Sequence, residues 1–462
     1  MPESLLAGRA THGATALRGG GAWRPTPYQL FGFLFWLLMS LAHWRLPLCC
    51  DAGQYAAVVE RLKADLLHPS HPTAALPGDG SAYYTPYTLA QALFARLTDL
   101  GGWEVVRLAG PLNLLVLLTG LGRLVRVLTP RPWAPVLALA TVTLLSGTAG
   151  NGLGLMSLTV NPGYPSTFAI GLTFWAWALT GSMGRGLVRY VGPKGGPGLS
   201  GYAALGALYA GIFLIDRSTG VGAALGAAAL IAGQGRLGKG RGAVLNLRLP
   251  PRGRDKPPPA GTLITMTTTA LLLTAAWPYF NALTLDGPPL TLALIPLQLA
   301  LAVALSAPHP WRRTLAALTA AAACTSFLTL HAGAVIPRSL DPVGFPRPPR
   351  WPTYAWAAQH IPPGEVVITD SHHATHTLAG HGQNLAAPAS PDASLDERER
   401  RRRTADVRRY LSPESTRAER IAVVRRYHVR WLLLTPQHTV PEEAVVVTWS
   451  RRTGEVLARV GG

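Results

Sequence analysis

The feature that most constrains this chain is a succession of about nine apolar stretches separated by short polar or basic segments. They run Pro27–Trp44, Val105–Leu128, Trp133–Gly150, Ser166–Ser182, Gly201–Ile215, Thr219–Gly233, Gly261–Phe280, Pro288–Ser306 and Thr314–Ile336. A helix crossing a bilayer core needs about 20 mostly apolar residues. Most of these stretches approach that length, and the Gly/Ala-rich fifth and sixth are shorter. Only 14% of the 462 residues are charged, where a soluble domain carries roughly 25%. The pattern therefore predicts a mainly α fold: a polytopic membrane helical bundle of about nine spans with a small carboxy-terminal α/β domain.

The distribution of charge sets the expected orientation. Arg123, Arg126 and Arg131, then Arg185, Arg189 and Lys194, then a run from Arg236 to Lys256, and finally Arg312 and Arg313 fall in alternate loops. The intervening loops hold Asp51, Glu60, Asp65, Asp79, Asp99, Asp216 and Asp286 with fewer bases. That alternation follows the positive-inside rule and predicts an inner-membrane protein of a bacterial cell, amino terminus inside and carboxy terminus outside. Arg9, Arg18 and Arg24 precede the first stretch with no small-residue cleavage site after it, as in an uncleaved signal anchor. The expected organisation is a cytoplasmic segment 1–26, a membrane domain 27–336, a linker 337–350 and an extracytoplasmic α/β domain 351–462. Within the membrane domain lie a first outer loop 45–104 and a basic cytoplasmic loop 234–259.

The net charge of +19 does not indicate nucleic acid, because the basic residues lie between apolar stretches rather than on one soluble face. Four lysines against 38 arginines also point to the codon bias of a GC-rich bacterial genome. Cys49, Cys50 and Cys324 form no disulfide framework; free thiols are the plain expectation at the adjacent pair, and a strained vicinal disulfide is the alternative.

No charged residue falls in the middle of an expected span, which argues against an ion-coupled transporter. The polar residues concentrate in the first outer loop instead. It opens Cys49-Cys50-Asp51-Ala52-Gly53-Gln54-Tyr55, continues through a helix-like stretch Tyr55–Leu67, and reaches Tyr83-Tyr84-Thr85-Pro86-Tyr87. An amphipathic stretch Thr88–Leu100 follows, with Leu89, Leu93, Phe94 and Leu97 on one helical face, suited to lying on the outer leaflet.

An Asp just beyond the first apolar stretch, a long loop with such helices and a terminal soluble domain together resemble the GT-C superfamily of membrane glycosyltransferases. The segment Asn161-Pro162-Gly163-Tyr164-Pro165-Ser166-Thr167-Phe168 is similar to a Tyr-Pro-Ser turn in bacterial members. Pro363-Gly364-Glu365-Val366-Val367-Ile368-Thr369-Asp370 and Val429-Arg430-Trp431-Leu432-Leu433-Leu434 resemble strands of their outer domains. The resemblance spans nearly the whole chain through the order of these motifs.

What it implies is transfer of a sugar from a polyprenyl-phosphate donor to a cell-envelope glycan, lipid or protein. Asp51 would be the general base, since a sugar hydroxyl is a poor nucleophile until its proton is taken. Arg107, Arg217 and Arg338 would stabilise the leaving lipid phosphate, and Tyr55, Tyr84 and Tyr87 would line the substrate site. Plainer readings stand beside these: Asp51 as a helix N-cap, and the arginines reaching toward lipid headgroups. Family members often pair two acids in this loop, whereas here Glu60 is nine residues on; a divalent metal ion is left open. A non-catalytic envelope scaffold and a lipid or glycan transporter are the rival functions.

In the terminal domain, Trp351–His360, Arg398–Tyr410 and Thr416–Tyr427 read as helices. Glu365–Thr369, Trp431–Thr435, Ala444–Trp449 and Glu455–Val460 read as strands. His372 and His376 are four apart and on a helix would share a face, making them candidate Zn²⁺ ligands; surface histidines on a strand-end loop are the alternative. The run Arg398–Arg403 reads as solvated helix charge with i,i+4 pairing or as a basic patch for anionic lipid or polymer.

Overall fold

The computed structural model describes residues 25–48, 50–78, 80–145, 158, 162–183, 199–237, 260–279, 295–307, 309–345, 347, 351–388, 390, 392 and 394–461. The amino-terminal segment through residue 24, Cys49, Asp79, Asn161, the loop holding Arg185, Arg189 and Lys194, and the basic loop from residue 238 lie outside the described residues.

The helical layer comprises α1 (Pro27–Arg45), α2 (Ala52–Ala64), α3 (Pro86–Thr98), α4 (Gly102–Leu128), α5 (Ala134–Leu145), α6 (Pro165–Met183), α7 (Leu199–Ile215), α8 (Arg217–Leu237), α9 (Ala260–Ala275), α10 (Ile295–Leu305) and α11 (Pro310–Val335). Local sequence explains several of the starts. Thr26 closes a capping box with Gln29 ahead of Pro27, and Thr85 does so with Thr88 ahead of Pro86; both place proline in the first turn, where its missing N–H costs nothing. A continuous apolar core built from Leu117, Leu121, Phe174, Trp177, Ile212 and Leu299 ties α4, α6, α7 and α10 together.

The expected count of about nine spans is corrected here. Among the described residues, α4 is the one helix long and apolar enough to cross a membrane, with 27 residues and a mean hydropathy of 1.6 over its best window. The stretch read as Trp133–Gly150 contributes the 12-residue helix α5, and Pro288–Ser306 contributes the 11-residue α10. Over their described residues, at 1.5 Å each, these helices extend about 18 Å or less against a hydrocarbon core of about 30 Å. α1 and α11 are long enough, but Tyr28, Gln29, His43 and Arg45 dilute the first, and Arg312, Arg313 and a series of threonines dilute the second. The outside placement of residues 337–462 counted an odd number of crossings and loses that support.

Many large apolar side chains on the helical layer remain exposed, among them Phe33 (62%), Leu272 (64%) and Leu318 (59%). α3 presents Leu93, Phe94 and Leu97 outward, the face expected for it. Cys324 is a free, exposed thiol, whereas Cys50 is disulfide-bonded, which overturns the expectation of free thiols at that position.

The carboxy-terminal region adds α12 (Ala355–Ala358), β1 (Val366–Thr369), α13 (His372–Thr377), β2 (Asn384–Leu385), α14 (Glu397–Leu411), α15 (Arg417–Tyr427), β3 (Val429–Leu434), β4 (Ala444–Trp449) and β5 (Val456–Val460). The strands form a five-stranded mixed sheet in the order β2-β1-β3-β5-β4. β1 runs parallel to β2 and β3; β5 is antiparallel to β3 and β4. All four β1 residues are buried, as a strand covered on both faces requires. One face packs Val407, Tyr410, Val423 and Tyr427 of the two long helices, and the other packs Tyr354, Ala374 and Leu378. β4 is an edge, with Val445, Val446, Val447 and Trp449 exposed.

The two layers meet at α2. A Cβ on Gly53 would lie 2.1 Å from the carbonyl oxygen of His376, and one on Gly380 would lie 2.8 Å from the carbonyl oxygen of Gly53. Only glycine permits that approach. Three hydrogen bonds fasten the junction: the Leu385 N–H to the Thr73 carbonyl at 2.7 Å, Arg61 to the Asn384 side-chain oxygen at 2.6 Å, and the Ser81 hydroxyl to Asp392 at 2.6 Å.

Candidate functional site

Asp51 stands at the N-cap position of α2, where an aspartate ordinarily accepts a hydrogen bond from the first helical turn. Its side chain makes no such bond. The backbone does the local work instead: the Asp51 carbonyl accepts from the Gln54 and Tyr55 N–H groups at 3.0 and 3.2 Å, and the Asp51 N–H donates to the Tyr164 hydroxyl at 2.9 Å. Cys50, with φ of 62°, supplies the left-handed residue that reverses the chain just before Asp51, a conformation costing about 1–2 kcal/mol for a non-glycine residue. The carboxylate is thereby released toward the carboxy-terminal region, where its Oδ1 lies 3.2 Å from Nδ1 of His376. The Asp51 side chain is 49% exposed and that of His376 17%, so the pair is anchored on one side and open on the other.

Aromatic rings cluster beside the pair. Tyr55 packs against Tyr164 at 5.0 Å and Tyr83 at 6.1 Å between ring centroids. Burial pushes the Tyr55 phenol well up, with Tyr83, Tyr164, Asp51 and Asp216 adding to the effect. Burial, then Asp392 and Asp51, pushes Tyr83 up to about 12; burial, then Asp51, raises Tyr164 as well. All three rings therefore stay neutral phenols near pH 7, able to donate hydrogen bonds beside a carboxylate.

The acid of a later loop, Asp216, is held by its own helix. Asp216 caps α8, accepting from the Ser218 hydroxyl at 2.7 Å and the Thr219 N–H at 3.2 Å, and Arg217 follows it as the first residue of that helix.

The histidines lie on α13, started by Ser371, whose hydroxyl accepts from the Ala374 N–H. His372 and His376 share a face, with rings 4.8 Å apart. Trp351 meets His373 edge-on at 4.7 Å and His376 at 6.3 Å. Among the described residues no three His, Cys, Asp or Glu side chains converge to hold a metal, and His376 spends Nδ1 on Asp51. Two imidazoles, one of them engaged with a carboxylate, do not fit a metal ion.

The structure thus brings Asp51, Tyr55 and His376 together, and separates most of the other expected residues from them. Tyr84 is buried and donates its hydroxyl to the Ser70 carbonyl. Tyr87 is also buried; its hydroxyl donates to the Gly163 carbonyl at 3.3 Å and accepts from Asn113 at 2.8 Å. Asn113 in turn donates to the Pro162 carbonyl at 2.9 Å, so Tyr87 supports the turn that presents Tyr164. Arg107 lies over Trp44 at 5.8 Å and lines a different cavity. Arg338 is exposed on a 3-10 turn after α11, and among the described residues it makes no hydrogen bond or ion pair. Sequence reasoning missed the Asp51–His376 pairing; Tyr83 and Tyr164 were visible only as parts of their motifs.

Chemically, this is a half-open carboxylate held by an imidazole and flanked by neutral phenols. Such a group can accept a proton from a bound hydroxyl, with the imidazole steadying or sharing the resulting charge. No family model matches the chain, and neither a curated protein nor a solved structure is detectably similar to it.

Proposed function

We propose that the chain is a glycosyltransferase that moves a sugar from a polyprenyl-phosphate donor to a hydroxyl of a cell-envelope acceptor, with Asp51 as general base. The observation that carries this reading is the diversion of the Asp51 side chain from capping α2 to the half-open pair with His376. In the reaction, Asp51 takes the acceptor proton as the hydroxyl oxygen bonds to the anomeric carbon. The bond from that carbon to the phosphate oxygen breaks, and the polyprenyl phosphate leaves with the electron pair. Tyr55, Tyr83 and Tyr164 offer ring surface and hydroxyls to the sugars. Arg217, the first residue of α8, is the cation this reading assigns to the leaving phosphate, whose oxygens suit a planar guanidinium.

The same reading seats the helical layer in the bacterial inner membrane, α4 crossing it and the exposed apolar side chains of α1, α9 and α11 facing lipid. Membranes containing the full chain are assayed with radiolabelled polyprenyl-phosphate sugars and envelope extracts. Asp51→Asn is expected to lower transfer by about 10²–10⁴-fold at unchanged abundance. Near-normal transfer by that variant removes Asp51 from the chemistry. Substrate flux in proteoliposomes without formation of a glycosidic bond replaces the whole reading with a transporter.

A further inference from the structure

We propose that the cavity lined by Glu60 and Glu104 is a second site, one that binds a neutral saccharide. It has a volume of about 720 Å³ and lies between the end of α1, α2, the start of α4 and carboxy-terminal residues that include Thr353 and His381. Glu60 follows Asp51 by nine residues, two and a half helical turns, which points the two carboxylates in opposite directions. Glu60 and Glu104 enter this cavity together with Arg107, His381, Trp44 and Trp103.

Each of these groups is already oriented. Glu60 accepts a hydrogen bond from the Gly102 N–H at 2.5 Å, fixing the head of α4 against α2. Glu104 and Arg107 are three residues apart on the first two turns of α4 and share a face. His381 packs on Trp103 at 5.4 Å between ring centroids. Its Nε2 lies 2.8 Å from the Thr353 carbonyl, so Nε2 carries the proton and Nδ1 remains an acceptor. Burial holds His381 below its ordinary value, which keeps that acceptor available at neutral pH.

The cavity therefore combines a five-donor guanidinium with two carboxylates and a neutral imidazole. A hydroxyl is the ligand group that both donates and accepts, and a run of hydroxyls matches this alternation. The indoles of Trp44 and Trp103 line the cavity as apolar surface, Trp44 beneath the Arg107 guanidinium and Trp103 against His381. Two carboxylates against one guanidinium disfavour a phosphate or other anion. Three converging metal donors are lacking among the described residues. The volume falls within the roughly 300–1,000 Å³ of small-molecule sites.

The site is independent of the Asp51 reaction and stands whether or not that reaction is glycosyl transfer. The test uses the purified full-length chain in lipid nanodiscs, titrated with maltotriose, mannotriose, chitotriose and arabinotriose. Saturation-transfer NMR and tryptophan fluorescence report binding, and inorganic phosphate serves as the anionic probe. At least one trisaccharide is expected to bind, with Glu104→Gln and Trp44→Ala each weakening it about tenfold or more at unchanged melting temperature. Overturning results are absence of binding by all four trisaccharides, binding that neither variant weakens, or binding of phosphate in their place.

Discussion

The first loop meets the carboxy-terminal region through two aspartate–histidine pairs, and they differ in what they leave over. Asp392 and His71 are 3.7 Å apart with side chains 2% and 1% exposed; Asp51 and His376 are 3.2 Å apart with side chains 49% and 17% exposed. In the buried pair both carboxylate oxygens and His71 Nδ1 accept hydrogen bonds from the surrounding chain, while His71 Nε2 reaches Asp392 only as an ion-pair contact. Asp392 accepts from the Ser81 hydroxyl at 2.6 Å and the Ser394 N–H at 3.1 Å. His71 Nδ1 accepts from the Thr73 and Ala74 N–H groups, both at 3.1 Å, which leaves its proton on Nε2 toward Asp392. The half-open pair has one bonded contact and phenols beside it. The same two residue types thus make a clasp in one place and a candidate base in the other, and solvent access with residual hydrogen-bonding capacity separates the roles.

The widest separation between the pairs is expected in activity. Asp51→Asn should lose transfer by the orders of magnitude given above while thermal unfolding moves by no more than about 0.5 kcal/mol, as for other surface substitutions. A large loss of stability in that variant would make the two pairs alike.

Gly53→Ala attacks the surface both pairs depend on, since its Cβ meets the His376 carbonyl at 2.1 Å. Displacing the backbone there should cost about 1–3 kcal/mol and lower transfer, read by denaturant unfolding and by the membrane assay. Asp392→Ala leaves the Ser81 hydroxyl buried without its acceptor and should cost about 1–3 kcal/mol. Residual folded protein should retain its transfer rate, so a specific loss of activity would assign Asp392 to the chemistry.

The smallest expected effect is on acid sensitivity. Burial, helped by Arg403 and Arg61 and opposed by Asp392, holds His71 below its ordinary value. The unfolded chain then binds more protons from the ordinary value near 6.5 down to the folded value. Stability is full above about pH 6.5 and declines as the pH falls through the folded value. His71→Gln should flatten that decline in melting temperature; an unchanged profile would place the acid sensitivity elsewhere.

Local patterns made much of the secondary structure legible. The helix expected at Thr416–Tyr427 forms as Arg417–Tyr427, and the strand expected at Glu365–Thr369 forms as Val366–Thr369. Ala444–Trp449 forms within its expected limits. Apolar stretches misled the span count because they record composition, whereas crossing depends on helical length and sustained apolarity together; α1 and α11 have the length but carry polar residues along it. Asp51 was legible from its place after α1. Its partner was not, because His376 is 325 residues away and the i,i+4 spacing with His372 suggested a metal instead.

The edge strand β4 has a practical consequence. It is a run of alanine, valines, threonine and tryptophan, paired to β5 on one side and carrying exposed Val445, Val446, Val447 and Trp449. Unpaired backbone along such a strand is a template for another chain. A fragment cut to the carboxy-terminal sheet would also bare the α13 surface that α2 now covers. Such a fragment should form soluble aggregates as its concentration rises, and a lysine placed at Val446 should delay them.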